Sequence, residues 1–262
     1  MNKKKSIFFD NEWQKSQSKK KFQYTNSKNK TISIINNDKK DIQKILISSE
    51  NGFKIWKKTS YLERSKIINK IGKLILKNIR ILAKKEASDT GKPFQQCISE
   101  VKYCADLWQH ASRTIKNVKE QVIKVNKKTN CRIYFEPVGI TAIIIPWNSP
   151  QLVLSERLPY ILAAGCVGII KPSEFANDGL IKLIEIINNI NLPKGVVNLV
   201  TGNHFTANLL TNHTTAYRFC YCEDAASRSI IIIIACTSDS STLLQDAESL
   251  TLSEPYGCCS RT

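Results

Sequence analysis

Gly139-Ile140-Thr141-Ala142-Ile143-Ile144-Ile145-Pro146-Trp147-Asn148-Ser149-Pro150 is an apolar run that stops at a stiff, proline-bounded turn. Apolar residues at consecutive positions indicate a strand buried on both faces, the mark of a parallel sheet. The pattern then repeats. Ser155 to Ala164 reads as a helix, Val167 to Ile170 as a second buried strand, Asn177 to Ile190 as a helix and Val196 to Val200 as a third strand. In the second helix Leu180, Leu183, Ile184 and Ile187 face inward. This alternation predicts an α/β fold with a doubly wound, mostly parallel, Rossmann-like sheet. Ligands of such sheets bind beyond the carboxyl ends of the strands. Two turns fall there: Pro146 to Pro150, and Lys171-Pro172-Ser173-Glu174. A turn amide such as that of Asn148 can donate to a developing oxyanion. An ammonium and a carboxylate, as in Lys171 and Glu174, can together hold ribose hydroxyls. The plainer readings are a turn Asn bonded to its own backbone and an exposed ion pair worth about 0–1 kcal/mol.

The residues before this block predict N-terminal helices that pack on the sheet. Residues 6–35 read as short polar strands and turns, with Asp10-Asn11-Glu12-Trp13 as a hairpin. Asp41 to Lys57 predicts a helix through Ile42, Ile45, Leu46, Phe53 and Trp56. Leu62 to Ala87 predicts a second, because Ile67, Ile68, Ile71, Leu74, Ile75, Ile79 and Leu82 recur at three- and four-residue steps. Thr90-Gly91-Lys92-Pro93 ends it with Gly then Pro. Phe94 to Lys116 predicts a third helix, carrying Val101, Cys104, Leu107 and Trp108. Gln121 to Pro137 reads as extended.

Charge divides the chain. Up to Asn203 there are 31 Lys and 5 Arg against 16 acidic residues, a balance of +20. From His204 onward there is no Lys, 3 Arg and 6 acids, a balance of −3. A shift of this kind marks a boundary. Excess Lys could neutralise nucleic-acid phosphates, but base readout favours Arg, and Arg is scarce. A Lys-rich solvated surface is the reading adopted, and it argues against a nucleic-acid partner. Nine Cys, an odd number, do not suggest a disulfide framework. Cys97, Cys104, Cys131 and Cys166 read as small buried apolar residues. Cys220-Tyr221-Cys222 and Cys258-Cys259 lack the zinc spacing, even with His204 and His213 nearby, so no metal site is expected. Met1 to Lys5 is basic, but the following Ser6-Ile7-Phe8-Phe9 is too short for a signal-peptide core. Ile230 to Ala235 falls far below the roughly 20 apolar residues that span a bilayer. No membrane association and a cytoplasmic location are expected.

No Gly-x-Gly-x-x-Gly follows a strand, so the usual dinucleotide fingerprint is absent. The two turns, with Leu158-Pro159-Tyr160-Ile161-Leu162-Ala163-Ala164-Gly165-Cys166 between them, nevertheless resemble the NAD(P)-dependent aldehyde dehydrogenase family. The resemblance runs from about Ser6 to Asn203, and the segment Leu158 to Cys166 is similar to betaine-aldehyde-type members. It implies NAD as cofactor, with Ile144, Ile145, Pro146 and Trp147 lining the nicotinamide–ribose side. It implies that Lys171 and Glu174 hold the adenosine ribose, and that Glu174 favours NAD because a carboxylate repels a 2′-phosphate. Asn148 corresponds to the family's side-chain donor to the thiohemiacetal oxyanion. The resemblance further implies an aldehyde as substrate, and a homo-oligomer in which residues 121–137 form an arm pairing strands between subunits.

Family chemistry also needs a Cys nucleophile after a Gly-Gln pair and a general-base Glu in a Glu-Leu-Gly-Gly block. Neither block occurs. Val196 to Gly202 still matches and Leu209 to His213 matches faintly. The expected Phe-Thr-Gly-Ser turn is replaced by Tyr217-Arg218-Phe219-Cys220-Tyr221-Cys222. The expectation is therefore an incomplete aldehyde dehydrogenase fold. Residues 1–203 would be the NAD-binding region, residues 204–262 a non-matching tail of frameshifted or foreign origin without helical or strand period before Ile230, and the catalytic domain would be absent. Such a chain would show little or no dehydrogenase activity. The alternatives are a non-catalytic nucleotide-binding or interaction module and, behind it, a basic nucleic-acid binder.

Overall fold

The computed structural model describes residues 5–25, 31–117, 121–124, 130–133, 135–212 and 218–221. Its centre is a six-stranded sheet. Strands β1 (Ile7–Phe9) and β2 (Glu12–Gln14) form a hairpin whose turn residues Asp10 and Asn11 both have positive φ. Phe8 and Trp13 pack across it, with ring centroids 5.2 Å apart. Strands β3 (Lys21–Thr25) and β4 (Thr31–Ile35) make a separate antiparallel pair, as do β5 (Gln121–Lys124) and β6 (Asn130–Ile133). The remaining strands are β7 (Ile140–Ile144), β8 (Val167–Lys171), β9 (Val197–Val200) and β10 (Arg218–Tyr221). The large sheet runs β10-β7-β8-β9-β1-β2. Its first four strands are mutually parallel, and β1 joins β9 antiparallel. The three expected strands are therefore adjacent and parallel. Strands are added to both sides of β7, which gives the doubly wound order.

The helices follow the apolar stripes, with three changes of boundary. Helix α1 (Lys39–Trp56) begins at a capping box in which Asp38 accepts from Asp41 N at 3.1 Å. The second predicted helix is two, α2 (Tyr61–Lys77) and α3 (Ile79–Thr90). Asn78 separates them. Its Nδ2 donates to the Leu74 carbonyl at 2.8 Å, closing α2 while the apolar stripe continues into α3. Helix α4 (Phe94–Thr114) is followed by a 3-10 turn at Ile115–Asn117. Between β7 and β8 the single expected helix is also two, α5 (Pro150–Ser155) and α6 (Leu158–Ala163). Both carry Pro at their start, where a missing N–H costs nothing. Helix α7 (Asp178–Asn188) buries Leu180, Leu183, Ile184 and Ile187 as expected.

Order extends past Asn203. Helix α8 (His204–Thr211) is capped by the Asn203 side chain, which accepts from Phe205 N at 3.0 Å. Leu210 and Thr206 are fully buried, and Thr206 Oγ1 donates to the Asn37 carbonyl at 3.0 Å. Together with β10, this corrects the expectation that the chain after about residue 203 lacks helical or strand period before Ile230: His204–Thr211 is helical and Arg218–Tyr221 extended. Two buried contacts and four strand residues are too few to register as a period. Cys222, His213 and Ile230 to Ala235 lie outside the described residues.

One core unites these elements, from Ile7 through Trp56 and Trp108 to Leu210. The lysines of α1 and α2, among them Lys44, Lys54, Lys66 and Lys73, are exposed. Packing is closest where α1 meets the turn before β9. A Cβ on Gly52 would lie 2.7 Å from the carbonyl oxygens of Gly195 and Lys194. Gly52→Ala is therefore expected to destabilise the fold by about 1–3 kcal/mol, read as a lowered midpoint in urea denaturation.

Two carboxylates are enclosed between α3, α5 and α7. Glu86 accepts from Gln151 Nε2 at 2.7 Å, and Asp89 accepts from Gly179 N at 2.8 Å. Burial is the main cause that pushes both up, to about 7. A carboxyl with a raised folded pKa holds its proton longer in the folded state than in the unfolded state. Stability from this pair is thus fully present below the unfolded values near 4 and is lost as pH rises towards 7. Glu86→Gln should flatten the slope of unfolding free energy between pH 4 and 7, measured by urea titrations across that range.

Candidate functional site

The carboxyl ends of β7 and β8 place the two turns side by side. Ile144 pairs with Lys171 in the ladder, and Ile145 N donates to the Lys171 carbonyl at 2.9 Å. Both turns thus leave the sheet at one level. The order β10-β7-β8 also makes the end of β7 the point where the sheet changes winding direction, the usual place of a ligand crevice in such folds.

Lys171 closes β8 and is only 3% exposed. Its Nζ meets Glu174 Oε2 at 3.3 Å. Burial lowers its pKa, and the Glu174 carboxylate opposes that shift. This degree of enclosure sets the pair apart from a solvated surface ion pair, where screening would leave little interaction. Asn177, at the start of α7, holds the turn by donating to the carbonyls of Ser173 at 2.8 Å and Glu174 at 2.9 Å. Its Oδ1 is buried without a partner. Sequence reading missed Asn177, because its spacing to Ser173 looks like any helix start.

In the other turn Pro146 and Ile144 are half-buried, and Trp147 and Asn148 are exposed. Ile145 is 1% exposed and belongs to the core. Asn148 Oδ1 accepts from Ser149 N at 2.9 Å, so its oxygen is engaged and its Nδ2 is the group left to donate outward. The plainer reading of a self-bonded turn Asn and the donor reading are compatible, since they use different ends of the carboxamide. Lys92 also reaches this turn, with Nζ 2.5 Å from Ser149 Oγ. It had registered in sequence only as part of a helix stop.

Three cysteines of the core are poorly suited to act as nucleophiles. Cys97 and Cys104 are buried, and burial pushes their thiols up to about 11 and about 12. Such thiols carry little thiolate near neutrality. Cys166 is also buried, whereas Cys131 on β6 is exposed, which corrects the expectation of a buried apolar residue: the β5–β6 pair stands apart from the large sheet. The described residues hold no group of three or more His, Cys, Asp or Glu suited to a metal ion. No helix among them is long and apolar enough to cross a membrane. Because Glu174 supports the Lys171 charge, Glu174→Gln is expected to lower the Lys171 pKa further, measured from the pH titration of its 13Cε signal by NMR.

Comparison with known proteins bears on the family and the fold. The model of the aldehyde dehydrogenase family matches residues 13–218, which carries the likeness past Asn203 to the start of β10. An aldehyde dehydrogenase of Vibrio cholerae is 29% identical over 198 residues, 74% of this chain and 39% of that protein. The peroxisomal aminoaldehyde dehydrogenase 1 of Pisum sativum is 31% identical over 200 residues, 74% of this chain and 40% of that protein. The crystal structure of an NAD-dependent aldehyde dehydrogenase from Sinorhizobium meliloti has a TM-score of 0.78 at 28% identity, over 82% of this chain and 44% of that one. The chain spans about two fifths of the length of the curated relatives it matches. With the family model covering most of its residues and the same fold in solved relatives, the chain belongs to the aldehyde dehydrogenase family.

Proposed function

We propose that these residues form the NAD-binding half of an enzyme that oxidises an aldehyde to a carboxylic acid. The observation that carries this reading is the enclosed Lys171–Glu174 pair, held level with the Asn148 turn by the β7–β8 ladder. Lys171 donates to, and Glu174 accepts from, the two hydroxyls of the adenosine ribose. The Glu174 carboxylate disfavours a 2′-phosphate there and so selects NAD over NADP. The backbone of Ile144 and Ile145, with Pro146 and Trp147, bounds the nicotinamide–ribose side. Asn148 Nδ2 donates to the oxygen of the aldehyde as that oxygen gains charge; a donor of this kind is typically worth ~10²–10³ in turnover. NAD, when bound, accepts the hydride that leaves the aldehyde carbon.

The nucleophile and general base are not supplied by the 262 residues in any recognisable context. These residues by themselves are therefore proposed to carry out no aldehyde oxidation. The exposed side chains Val122 and Ile123 on β5 suit an arm that pairs with a second subunit. Free Cys97, Cys104, Cys131 and Cys166 suit a reducing, cytoplasmic setting.

Two measurements on the purified chain test the reading. Calorimetric titration is expected to show NAD binding weaker than about 1 mM, stronger than NADP binding and abolished by Lys171→Ala. Binding indifferent to Lys171→Ala would instead favour an unrelated nucleotide-binding or interaction module. In the second, NADH formation from acetaldehyde and from betaine aldehyde is expected to be undetectable. Turnover lost in Cys236→Ala would show that the chain carries its own nucleophile.

A further inference from the structure

We infer that Lys92 and Glu100 are positioning residues that set the orientation of the Asn148 carboxamide. The inference rests on the proposed role of Asn148 as an oxyanion donor. Lys92 sits between Gly91, which ends α3 at φ 78°, and Pro93, which precedes α4. Its ammonium has three N–H donors and three acceptors around it. Glu100 Oε1 and Oε2 lie at 2.8 and 2.9 Å, and Ser149 Oγ at 2.5 Å. Gln96 steadies Glu100 from one turn away in α4, donating at 3.1 Å. The side chains of Lys92 and Glu100 are 20% and 18% exposed, so this is a sheltered contact that screening weakens little.

The effect appears at Ser149. This residue is the N-cap of α5, a position where serine normally accepts from a backbone N–H of the first turn. Ser60 does so at the start of α2, with φ −61° and ψ 149°. Ser149 does not cap; its hydroxyl is drawn to Lys92, and its backbone stands at φ −148° and ψ 59°. Its N–H meets Asn148 Oδ1 at 2.9 Å, so the residue that Lys92 holds by its hydroxyl also engages the Asn148 carboxamide. The carboxamide oxygen is thereby engaged, which leaves Nδ2 as the end available to donate. A charge anchored on α4 thus reaches the exposed tip of the turn through Lys92, Ser149 and Asn148. Without either the ammonium or the hydroxyl, the turn that carries the Asn148 carboxamide loses its anchor to α4.

The test is NMR of the 262-residue chain, with the Asn148 Nδ2 proton pair assigned by its disappearance in Asn148→Asp. Lys92→Met is expected to move that pair and to speed exchange of the Ser149 amide by about fivefold, the loss of one hydrogen bond. Lys171 and Gly179 amides should be unmoved. Ser149→Ala should move the Asn148 pair as Lys92→Met does, and the double variant should add nothing further. Should Lys92→Met not fold, Ser149→Ala and Glu100→Gln carry the test alone. An Asn148 pair unchanged in these variants, or shifts spread evenly over the sheet, overturns the inference. The readout needs no cofactor, so a chain that fails to bind NAD yet shows these shifts would sink the proposed function while leaving the positioning role intact.

Discussion

The hydrogen bond from Ile145 N to the Lys171 carbonyl, at 2.9 Å, is the last rung of the β7–β8 ladder. What lies beyond it depends on that rung. It fixes the height at which both turns leave the sheet, and hence the relation between an amide donor and a buried ammonium–carboxylate pair. Parallel pairing is what permits this, because neighbouring parallel strands present their carboxyl ends on the same edge. The core beneath makes the rung stiff. Ile143, Ile145, Ile169 and Ile170 are all within 1% of full burial.

Polar side chains then tune what the ladder places. On the β8 side Asn177 ties the turn carbonyls down, so that Glu174 faces Lys171. On the β7 side the support comes from the helical layer, through Lys92 and Ser149. The two halves of the candidate site are thus held by different parts of the fold. Lys92, in the α3–α4 connection, bonds the turn of Asn148, and Asn177, at the start of α7, bonds the turn that follows Lys171.

Much of this was legible in sequence because burial writes itself as pattern. Uninterrupted apolar strands, and stripes such as Ile68, Ile71 and Ile75, identify elements through the same surface they bury. The boundaries were less legible. Asn78 breaks a helix by a local side-chain bond without interrupting the stripe, and Pro150 starts α5 inside what reads as a turn. Strand β10 escaped notice because its evidence is a partner, β7, far away in the chain. The loss of Lys beyond Asn203 pointed to an end of likeness there, whereas the family match continues to residue 218. Lys92, Glu100 and Asn177 were invisible as site residues for a similar reason: their roles come from contacts between elements, which spacing along the chain does not encode.

On the proposed function, the adenosine ribose of NAD sits between Lys171 and Glu174. The most direct measurement is transfer of magnetisation by NMR between selectively labelled Lys and Glu side chains and the protons of added NAD. Strongest transfer is expected from Lys171 and Glu174 to the H2′ and H3′ protons of the adenosine ribose, lost when Lys171 is replaced by Met. Transfer confined to the exposed lysines of α1 and α2, or unchanged by that substitution, would contradict it.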